Sequence, residues 1–149
     1  MIILDTNVIS ELTRPVPDPG VITWLDSLPA EETAITTITA AELRYGVCRM
    51  PDGRKAGLSE AVNTLITTDF RDRVEPFDVL AADQYADVVT ARERAGQPIS
   101  TSDAQIAAIC RVLHATLATR NTSDFTGIGV NLIDPWKVAV RVHEPVPGS

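Results

Sequence analysis

The chain has few of the residues that build soft metal sites or thiol-based centres. Its 149 residues include two cysteines and two histidines. None of them stands in a CxxC or HExxH pattern, which argues against a zinc site or a redox centre. Cys48 and Cys110 each lie in an apolar helical pattern, so we expect two reduced, buried side chains that act as small hydrophobes. We expect neither His114, at the end of a predicted helix, nor His143, in a polar, proline-rich segment, to be catalytic.

The chain also lacks a long hydrophobic run. No apolar stretch approaches the roughly 20 residues that a membrane span needs. The N-terminal segment, Met1 to Asp5, has no basic region and reaches an acid at once, so it does not have the pattern of a secretory signal peptide. We therefore expect a cytoplasmic protein. Hydrophobic residues make up 44% of the chain, which is enough for one domain with a core, and the length is too short for two.

Positive charge is scarce. Thirteen lysines and arginines face 20 aspartates and glutamates, for a net charge of −7. General binding to nucleic acid needs a basic face, so this balance argues against it, while it allows a basic partner or a local basic patch. Four cations follow Glu42 along one predicted helix and its exit loop, where they form such a patch or a solvated helix face: Arg44, Arg49, Arg54 and Lys55.

Short apolar or β-branched runs alternate with helical patterns along the chain. We expect strands at residues 1–4, 33–36, 73–77, 116–119 and 130–133. Residues 39–49 read as a helix that Pro51-Asp52-Gly53 breaks, and residues 103–113 show the clearest amphipathic pattern. The predicted fold class is therefore α/β, with three layers, α/β/α, around a central, mostly parallel sheet of about five strands. We expect one domain over residues 1–138 and a C-terminal tail over residues 139–149.

Four acidic residues lie where a predicted strand ends or a helix begins. Asp5 follows the first strand, Glu42 and Asp103 lie in the first turns of two helices, and Asp124 follows the fourth strand. In an open α/β sheet, ligands bind at this edge. Two carboxylates ~4 Å apart repel each other by roughly 4 kcal/mol at an effective dielectric near 20. A raised pKa or a bound cation relieves that repulsion, and an all-oxygen ligand set suits Mg²⁺ or Mn²⁺. The acids therefore indicate phosphoryl chemistry.

Each acid also has a purely structural interpretation. Asp5 would serve as a helix cap, Thr39 with Glu42 matches a capping box, as does Ser100 with Asp103, and Asp124 would close an Asx-turn. Capping alone does not explain why so many hydroxyl and amide side chains accompany the acids. These neighbours are Thr6 and Asn7 beside Asp5, and Ser100, Thr101 and Ser102 beside Asp103.

Five segments, taken in order, carry a resemblance to a known family. They read LDTNVISE from Leu4, AAELRYG from Ala40, ISTSDAQIAA from Ile99, ATRNTSDF from Ala118 and DPW from Asp134. In this order they resemble the PIN-domain ribonucleases, and most closely the VapC-type and FitB-like toxins of bacterial toxin–antitoxin pairs. The resemblance runs from Met1 to about Trp136, and each segment alone is a weak signal.

The resemblance implies a PIN-like fold and a metal-dependent endoribonuclease that leaves a 5′-phosphate and a 3′-hydroxyl. The implied catalytic acids are Asp5, Glu42, Asp103 and Asp124, and the implied ligands of Mg²⁺ or Mn²⁺ are the first three. Residues that would orient water, ligands or substrate are Thr6, Asn7, Ser102, Thr119 and Asn121, and candidates for phosphate contact are Arg44 and Arg120.

Asn121 is a departure from the family pattern, because close relatives can carry aspartate there. Either Asp124 supplies the missing carboxylate or a second metal binds weakly. An alternative function therefore stays open, in which the chain is a catalytically weak PIN-fold partner of a DNA-binding antitoxin and acts in operator control. A third interpretation, a flavodoxin-like phosphatase or receiver domain, expects a lysine near the last strand, whereas no lysine lies between Lys55 and Lys137.

The resemblance also implies partners. A toxin must be neutralised, and an acidic cleft would attract a basic arm of a cognate antitoxin that carries an N-terminal DNA-binding domain. We expect a homodimer and a toxin–antitoxin hetero-oligomer. Transfer, ribosomal and messenger RNA all remain open as the substrate, because shape and single-stranded loops carry most RNA specificity.

Overall fold

Five short parallel strands form one sheet in the computed structural model, which describes residues 1–141. The strands are β1 (Ile2–Leu4), β2 (Thr33–Thr36), β3 (Val74–Glu75), β4 (Thr116–Ala118) and β5 (Leu132–Ile133). Their order is β3-β2-β1-β4-β5, and every pairing is parallel. Because a hairpin cannot join parallel strands, each connection crosses over the sheet.

α-Helices lie in three of these connections, and the fourth, from β4 to β5, contains only a 3₁₀ turn. In the described part of the chain the α-helices are α1 (Thr6–Leu12), α2 (Pro19–Asp26), α3 (Thr37–Cys48), α4 (Asp52–Thr64), α5 (Val79–Arg94), α6 (Thr101–Leu113) and α7 (Pro135–Arg141). Short 3₁₀ turns span Ala30–Glu32 and Thr122–Phe125, and a π-helical turn, Leu65–Asp69, follows α4. None of the helices described is long and apolar enough to cross a membrane.

The two faces of the sheet bury alternate residues of the same strands, as the pleat requires. Leu4 and Ile35 pack in one core with apolar residues of α1 to α4. Ile3 and Ala34, their neighbours in sequence, pack in a second core with α5 and α6. Both faces are therefore covered, and the predicted three-layer α/β/α fold on a parallel sheet is confirmed.

Polar side chains cap two helix starts, and the cap at Ser100 is one that the sequence predicts. Asp78 Oδ1 accepts a hydrogen bond from the Ala81 N–H at 2.9 Å at the start of α5. Ser100 Oγ accepts one from the Asp103 N–H at 3.2 Å at the start of α6. These bonds satisfy backbone donors that a helix leaves free at its first turn, and the second one also fixes where Asp103 enters α6.

Two other helix starts differ from the prediction. The cap of α3 is Thr36, whose hydroxyl accepts from the Thr39 N–H at 3.1 Å, so the capping box predicted for Thr39 and Glu42 is wrong. The helix begins directly after β2, which places Glu42 in its second turn. The predicted break after residue 49 is confirmed, since α3 ends at Cys48, but the next helix begins at once, with Pro51 as the N-cap residue and Asp52 as the first helical residue of α4.

One cysteine departs from expectation, and the expected C-terminal boundary stays a prediction. Cys110 is buried as predicted, and its burial raises the pKa of the thiol to about 12, whereas Cys48 is exposed. A period-3.6 pattern locates a helix, but neighbouring elements decide which of its residues they cover. Helix α7 runs to Arg141, past the expected domain boundary at residue 138, and the remainder of the expected tail, residues 142–149, lies outside the described residues.

Candidate active site

The carboxyl edge of the two central strands holds a buried carboxylate. The register pairs Leu4 with Ala118, so the next residues, Asp5 and Thr119, leave the sheet side by side. The Asp5 N–H donates to the Ala118 carbonyl at 2.9 Å, and the Thr119 hydroxyl donates to Asp5 Oδ2 at 2.8 Å. Asp5 is 5% exposed and Thr119 is fully buried. The backbone pairing therefore fixes the position of this carboxylate.

Thr119 also connects Asp5 to two neighbouring segments. Its hydroxyl oxygen accepts from the Asn7 side-chain amide at 3.2 Å and from the Asn121 N–H at 3.1 Å. Because a hydroxyl has one hydrogen and two acceptor lone pairs, this group is fully bonded. Asn7 is held in turn, since its Oδ1 accepts from the Arg120 N–H at 3.2 Å. The start of α1 is thereby tied to the segment that follows β4.

Glu42 reaches the same edge from α3. Its Oε1 accepts from the Thr6 hydroxyl at 2.8 Å, and the hydroxyl oxygens of Thr6 and Thr39 lie 3.0 Å apart. Since Thr6 uses its one hydrogen on the carboxylate, the Thr39 hydroxyl donates to Thr6. The Thr6 N–H also donates to Asp5 Oδ1 at 2.8 Å. One residue at the start of α1 thus contacts two of the acids.

Asp103 faces this group from the first turn of α6. Burial is the main cause that raises the pKa of Asp103; a hydrogen bond with Ser100 opposes the rise, and the charges of Asp124 and Glu42 add to it. The helix N-terminus favours a negative charge at this position. The charges of Glu42 and Asp124 therefore both act on the Asp103 carboxylate.

The negative charge of Asp5 is unfavourable in the folded chain. Burial raises the pKa of Asp5 from 3.8 to about 6; hydrogen bonds from Thr119 and Thr6 lower it, and the charges of Asp103 and Glu42 raise it. The two groups that donate to Asp5 most closely, a hydroxyl and a backbone amide, are neutral. They orient the carboxylate without neutralising it, so an added positive charge would be strongly favourable here.

An open cleft of about 470 Å³ runs along this edge. Seven of the residues predicted for the site line it: Asp5, Thr6, Asn7, Glu42, Asp103, Arg120 and Asn121. Thr119 lies buried behind Asp5. Ser102 and Arg44 are not among the lining residues, and the guanidinium of the exposed Arg44 instead donates to Asn63 Oδ1 at 3.4 Å.

Asn121 and Asp124 occupy different places. Asn121 lines the cleft together with Asp5. Asp124, on the 3₁₀ turn after it, lines a separate cavity of about 170 Å³. Asp103 lines both spaces. The uncharged Asn121 is thus on the same side of Asp103 as Asp5, and the Asp124 carboxylate is on the other side.

A sequence model of the PIN domain matches residues 2–129, and three of the four acids predicted from that family's pattern, Asp5, Glu42 and Asp103, line one cleft. The chain belongs to the PIN-domain family. The toxin FitB of Neisseria gonorrhoeae is 41% identical to it over 137 residues, which are 91% of this chain and 99% of FitB. The VapC ribonuclease Y4jK of Sinorhizobium fredii is 38% identical over 140 residues, 93% of this chain and 100% of that protein.

Solved structures of the same family have the same fold. The crystal structure of FitAcB from Neisseria gonorrhoeae matches with a TM-score of 0.87 and 40% identity, covering 92% of this chain and 99% of that one. VapBC2 from Rickettsia felis, bound to a DNA fragment from its promoter, matches with a TM-score of 0.73 and 27% identity, covering 89% and 98%. The PIN architecture therefore extends over nearly the whole described chain.

This PIN domain also brings to the cleft residues that the sequence did not single out. Glu11 and Arg14, at the end of α1 and just after it, line the cleft, and the Arg14 guanidinium donates to both Glu11 oxygens at 2.9 and 3.0 Å. A usable signal was present, since Asn7, Glu11 and Arg14 have the i, i+4, i+7 spacing of one helix face.

Trp136 completes the rim of the cleft. It lies at the start of α7, and the Arg120 guanidinium carbon stacks 4.9 Å from its ring centroid. This cation–π contact leaves the guanidinium on the exposed side of the cleft. Its donors are therefore available to an anion that enters.

The donor set fits a hard divalent cation. The side chains of Asp5, Glu42, Asp103 and Asn121 offer only oxygen ligands, which suit Mg²⁺ or Mn²⁺. Within the described residues, no three acidic, histidine or cysteine side chains converge closely enough to hold one ion by themselves. Mg²⁺ usually takes one or two protein carboxylates and keeps several waters, so the cleft fits a hydrated ion better than a fully caged one.

Proposed function

We propose that this chain is a Mg²⁺- or Mn²⁺-dependent endoribonuclease and the toxin of a toxin–antitoxin pair. The observation that carries the proposal is the cleft that Asp5, Glu42 and Asp103 line from three separate parts of the chain. In this cleft the Asp5 carboxylate accepts its short hydrogen bonds from neutral donors only. Membership in the PIN family and the likeness to a VapC ribonuclease and to the toxin FitB support it.

In this proposal each side chain has a physical task. Asp5 and Asp103 would hold the cation, and Glu42 would contact it directly or through water. Such a cation supplies Lewis acidity to a scissile phosphate and makes water a stronger nucleophile near neutral pH. Thr119 and Asn7 keep the Asp5 carboxylate in place while charge changes around it. Arg120 receives the phosphate at the rim, where its fork of N–H donors suits the oxyanion.

The proposed partners follow from charge and from the relatives. A net charge of −7 and an acidic cleft favour an antitoxin arm that places an arginine against Asp5 and Asp103 and thereby competes with the cation. The antitoxin would carry a DNA-binding N-terminus, in keeping with the promoter DNA bound to VapBC2. We also propose a homodimer, because closed two-fold assemblies are the commonest oligomers.

A second candidate function rests on Asn121. This neutral side chain lines the cleft at a position where an acid would strengthen cation binding. A chain with a weakened cation site would act mainly as the partner of its antitoxin on operator DNA. The two functions differ in one measurable property, which is RNA cleavage by the chain without its antitoxin.

The test is cleavage of total cellular RNA by purified protein freed of antitoxin, in Mg²⁺, in Mn²⁺ and in EDTA. We compare the wild type with Asp5→Asn, which keeps the shape of the side chain and removes its charge. The matched control is Asp78→Asn, the same change at the exposed N-cap of α5, away from the cleft. We expect discrete fragments from the wild type and Asp78→Asn in metal, and none in EDTA.

Asp5→Asn should lose more activity than the roughly 10–100-fold typical of a residue that only supports a metal ligand. Cleavage by Asp5→Asn at the wild-type rate in saturating Mn²⁺ would contradict the assignment of Asp5. No cleavage by a folded, antitoxin-free wild type would favour the operator-control function. In that case Asn121→Asp is the next variant, because it restores the missing charge.

A further inference from the structure

A buried arginine lies directly behind the acidic residues. Arg92, in the last turn of α5, is 6% exposed. Buried arginines are rare unless they are paired with an acid. In the described part of the chain the one ion pair within 4.0 Å is that of Arg14 with Glu11, so Arg92 has no carboxylate in direct contact. Its position therefore needs another explanation.

The guanidinium of Arg92 holds the turn that bears Asp124. Its Nη1 donates to the Thr126 carbonyl at 3.0 Å and to the Thr126 hydroxyl at 3.3 Å. A longer contact, 3.5 Å, joins it to the Ser123 carbonyl. These acceptors lie on both sides of Asp124 in the chain. The arginine thus fixes the path of the backbone through the 3₁₀ turn.

The same guanidinium faces the acids across a small cavity. Arg92, Ser100, Asp103 and Asp124 all line the space of about 170 Å³. The Nε–H of Arg92 is buried and has no hydrogen-bond partner in the protein, and an unpaired buried donor is unfavourable. The cavity is polar and large enough for water, which needs only ≳10–15 Å³ of probe-occupied volume and two to four polar partners.

We propose that Arg92 is a positioning residue of the acidic cleft, which holds the Asp124 turn against Asp103 and offsets the repulsion between these two carboxylates through water in the shared cavity. The inference rests on the proposed cation site, because that site gives the Asp103–Asp124 arrangement its purpose. In this proposal Arg92 fixes the position of Asp124 beside Asp103, whereas Asn121 lines the cleft with Asp5.

A purely structural role, in which Arg92 only closes a loop, makes a different prediction. Such a role would change metal affinity by a similar factor whether or not residue 124 carries a charge. A positioning role acts through the Asp124 carboxylate, so its effect disappears once that charge is gone. Whether the effects of the Arg92 and Asp124 substitutions on metal affinity are additive therefore distinguishes the positioning role from the purely structural one.

The test uses the full chain, freed of metal, and titration with Mn²⁺ by calorimetry. The variants are Arg92→Gln, Asp124→Asn and the double variant, and the control is Arg94→Gln, an exposed arginine in the same helical turn. We expect Arg92→Gln and Asp124→Asn each to weaken Mn²⁺ binding about tenfold, the lower end of the usual range for residues that orient metal ligands. The double variant should bind as Asp124→Asn does, and Arg94→Gln as the wild type.

The proposal would be overturned if the loss of Mn²⁺ affinity in the double variant equals the product of the two single losses. It would also be overturned if Arg92→Gln binds Mn²⁺ as the wild type does. Backbone hydrogen exchange of the metal-free protein is the second measurement. The exchange rate should rise selectively in residues 122–126 of Arg92→Gln. A uniform rise or no change would contradict the claim that Arg92 holds this turn. If Arg92→Gln does not fold, Arg92→Lys takes its place, because lysine keeps the charge and loses the forked donors. We then expect Mn²⁺ binding to weaken by less than tenfold and exchange in residues 122–126 to rise less than expected for Arg92→Gln.

The two measurements also separate this inference from the proposed function. If the wild type binds no Mn²⁺, the proposed metal dependence fails and the exchange experiment still decides whether Arg92 holds the turn. If the wild type binds Mn²⁺ and the double variant shows multiplied effects, only the role of Arg92 is overturned.

Discussion

Two buried carboxylates lie near the two ends of α1, and the chain treats them in opposite ways. Glu11, 4% exposed, receives both of its hydrogen bonds from the guanidinium of Arg14. Asp5, 5% exposed, receives its two short bonds from the hydroxyl of Thr119 and the N–H of Thr6. One acid is neutralised within the chain, and the other is oriented but keeps its charge.

The difference explains how one cleft can hold a fixed structure and an open site together. A cationic side chain beside Asp5 would lower the pKa of its carboxyl and would also compete with any incoming cation. Neutral donors avoid that competition, at the cost of a carboxyl whose pKa stands at about 6. The Glu11–Arg14 pair lines the same cleft with its charges paired, which leaves the charge at Asp5 as the site for a cation.

The largest expected effect on stability is the pH dependence that Asp5 causes. Its pKa is about 6 in the folded chain against 3.8 for an ordinary carboxyl, so the folded state binds more protons between these values. The favourable contribution is fully present below 3.8 and is lost as the pH rises through about 6. A shift of this size amounts to about 3 kcal/mol, since one pKa unit is ~1.4 kcal/mol.

Asp5→Asn should remove this pH dependence. In EDTA, we expect the variant to be more stable than the wild type by up to about 3 kcal/mol near pH 7.5 and nearly equal to it near pH 4. Urea unfolding at both pH values measures the difference. An advantage of the same size at both would show that the charge of Asp5 is not its cause.

Thr119→Val should be the next largest effect. The variant keeps the shape of the side chain but removes the donor to Asp5 and the acceptor of Asn7 and Asn121. Leaving such buried groups unpaired costs about 2–3 kcal/mol in the free energy of unfolding. Urea unfolding tests this with Thr119→Ser as the control, which keeps the hydroxyl and should lose only about 1 kcal/mol for its missing methyl. Equal losses in the two variants would contradict the role given to the hydroxyl.

Arg14→Gln should have the smallest effect of the three. It leaves the buried Glu11 carboxylate without its cation, but Arg14 is itself 63% exposed, so water replaces part of the interaction. We expect a loss of about 1–2 kcal/mol by urea unfolding, below the usual cost of breaking a fully buried pair. In the double variant with Glu11→Gln, part of this loss should be recovered. Additive losses would mean that the pair does not act as one.

Much of the sheet edge could be predicted because it depends on local rules. An acid directly after a short apolar strand must leave at the strand's carboxyl end, which located Asp5. A parallel sheet brings such ends together, and the family resemblance implied that Thr119, after β4, also belongs to the site. Glu42 and Asp103 were found in early helical turns, and the helix then fixed which way they face. The positions of these three acids needed only strand polarity and helix periodicity.

The rest depends on packing between distant elements, which one sequence does not reveal. Arg92 reads as a solvated residue at a helix end, and only the docking of the residue 122–126 turn on α5 buries it. The same turn decides that Asn121, and not Asp124, lines the cleft with Asp5. Pro51 shows a local ambiguity, because proline followed by aspartate suits a turn as well as a helix start.

Calorimetric titration of the metal-free chain with Mn²⁺ tests most directly whether Asp5 keeps its charge for a cation. The wild type and Asp78→Asn should bind the ion with equal affinity, and Asp5→Asn should bind it more than about tenfold more weakly, since even residues that only orient a ligand cost 10–100-fold. Binding of Mn²⁺ to Asp5→Asn with the wild-type affinity would contradict the claim that the chain keeps the charge of Asp5 for a cation.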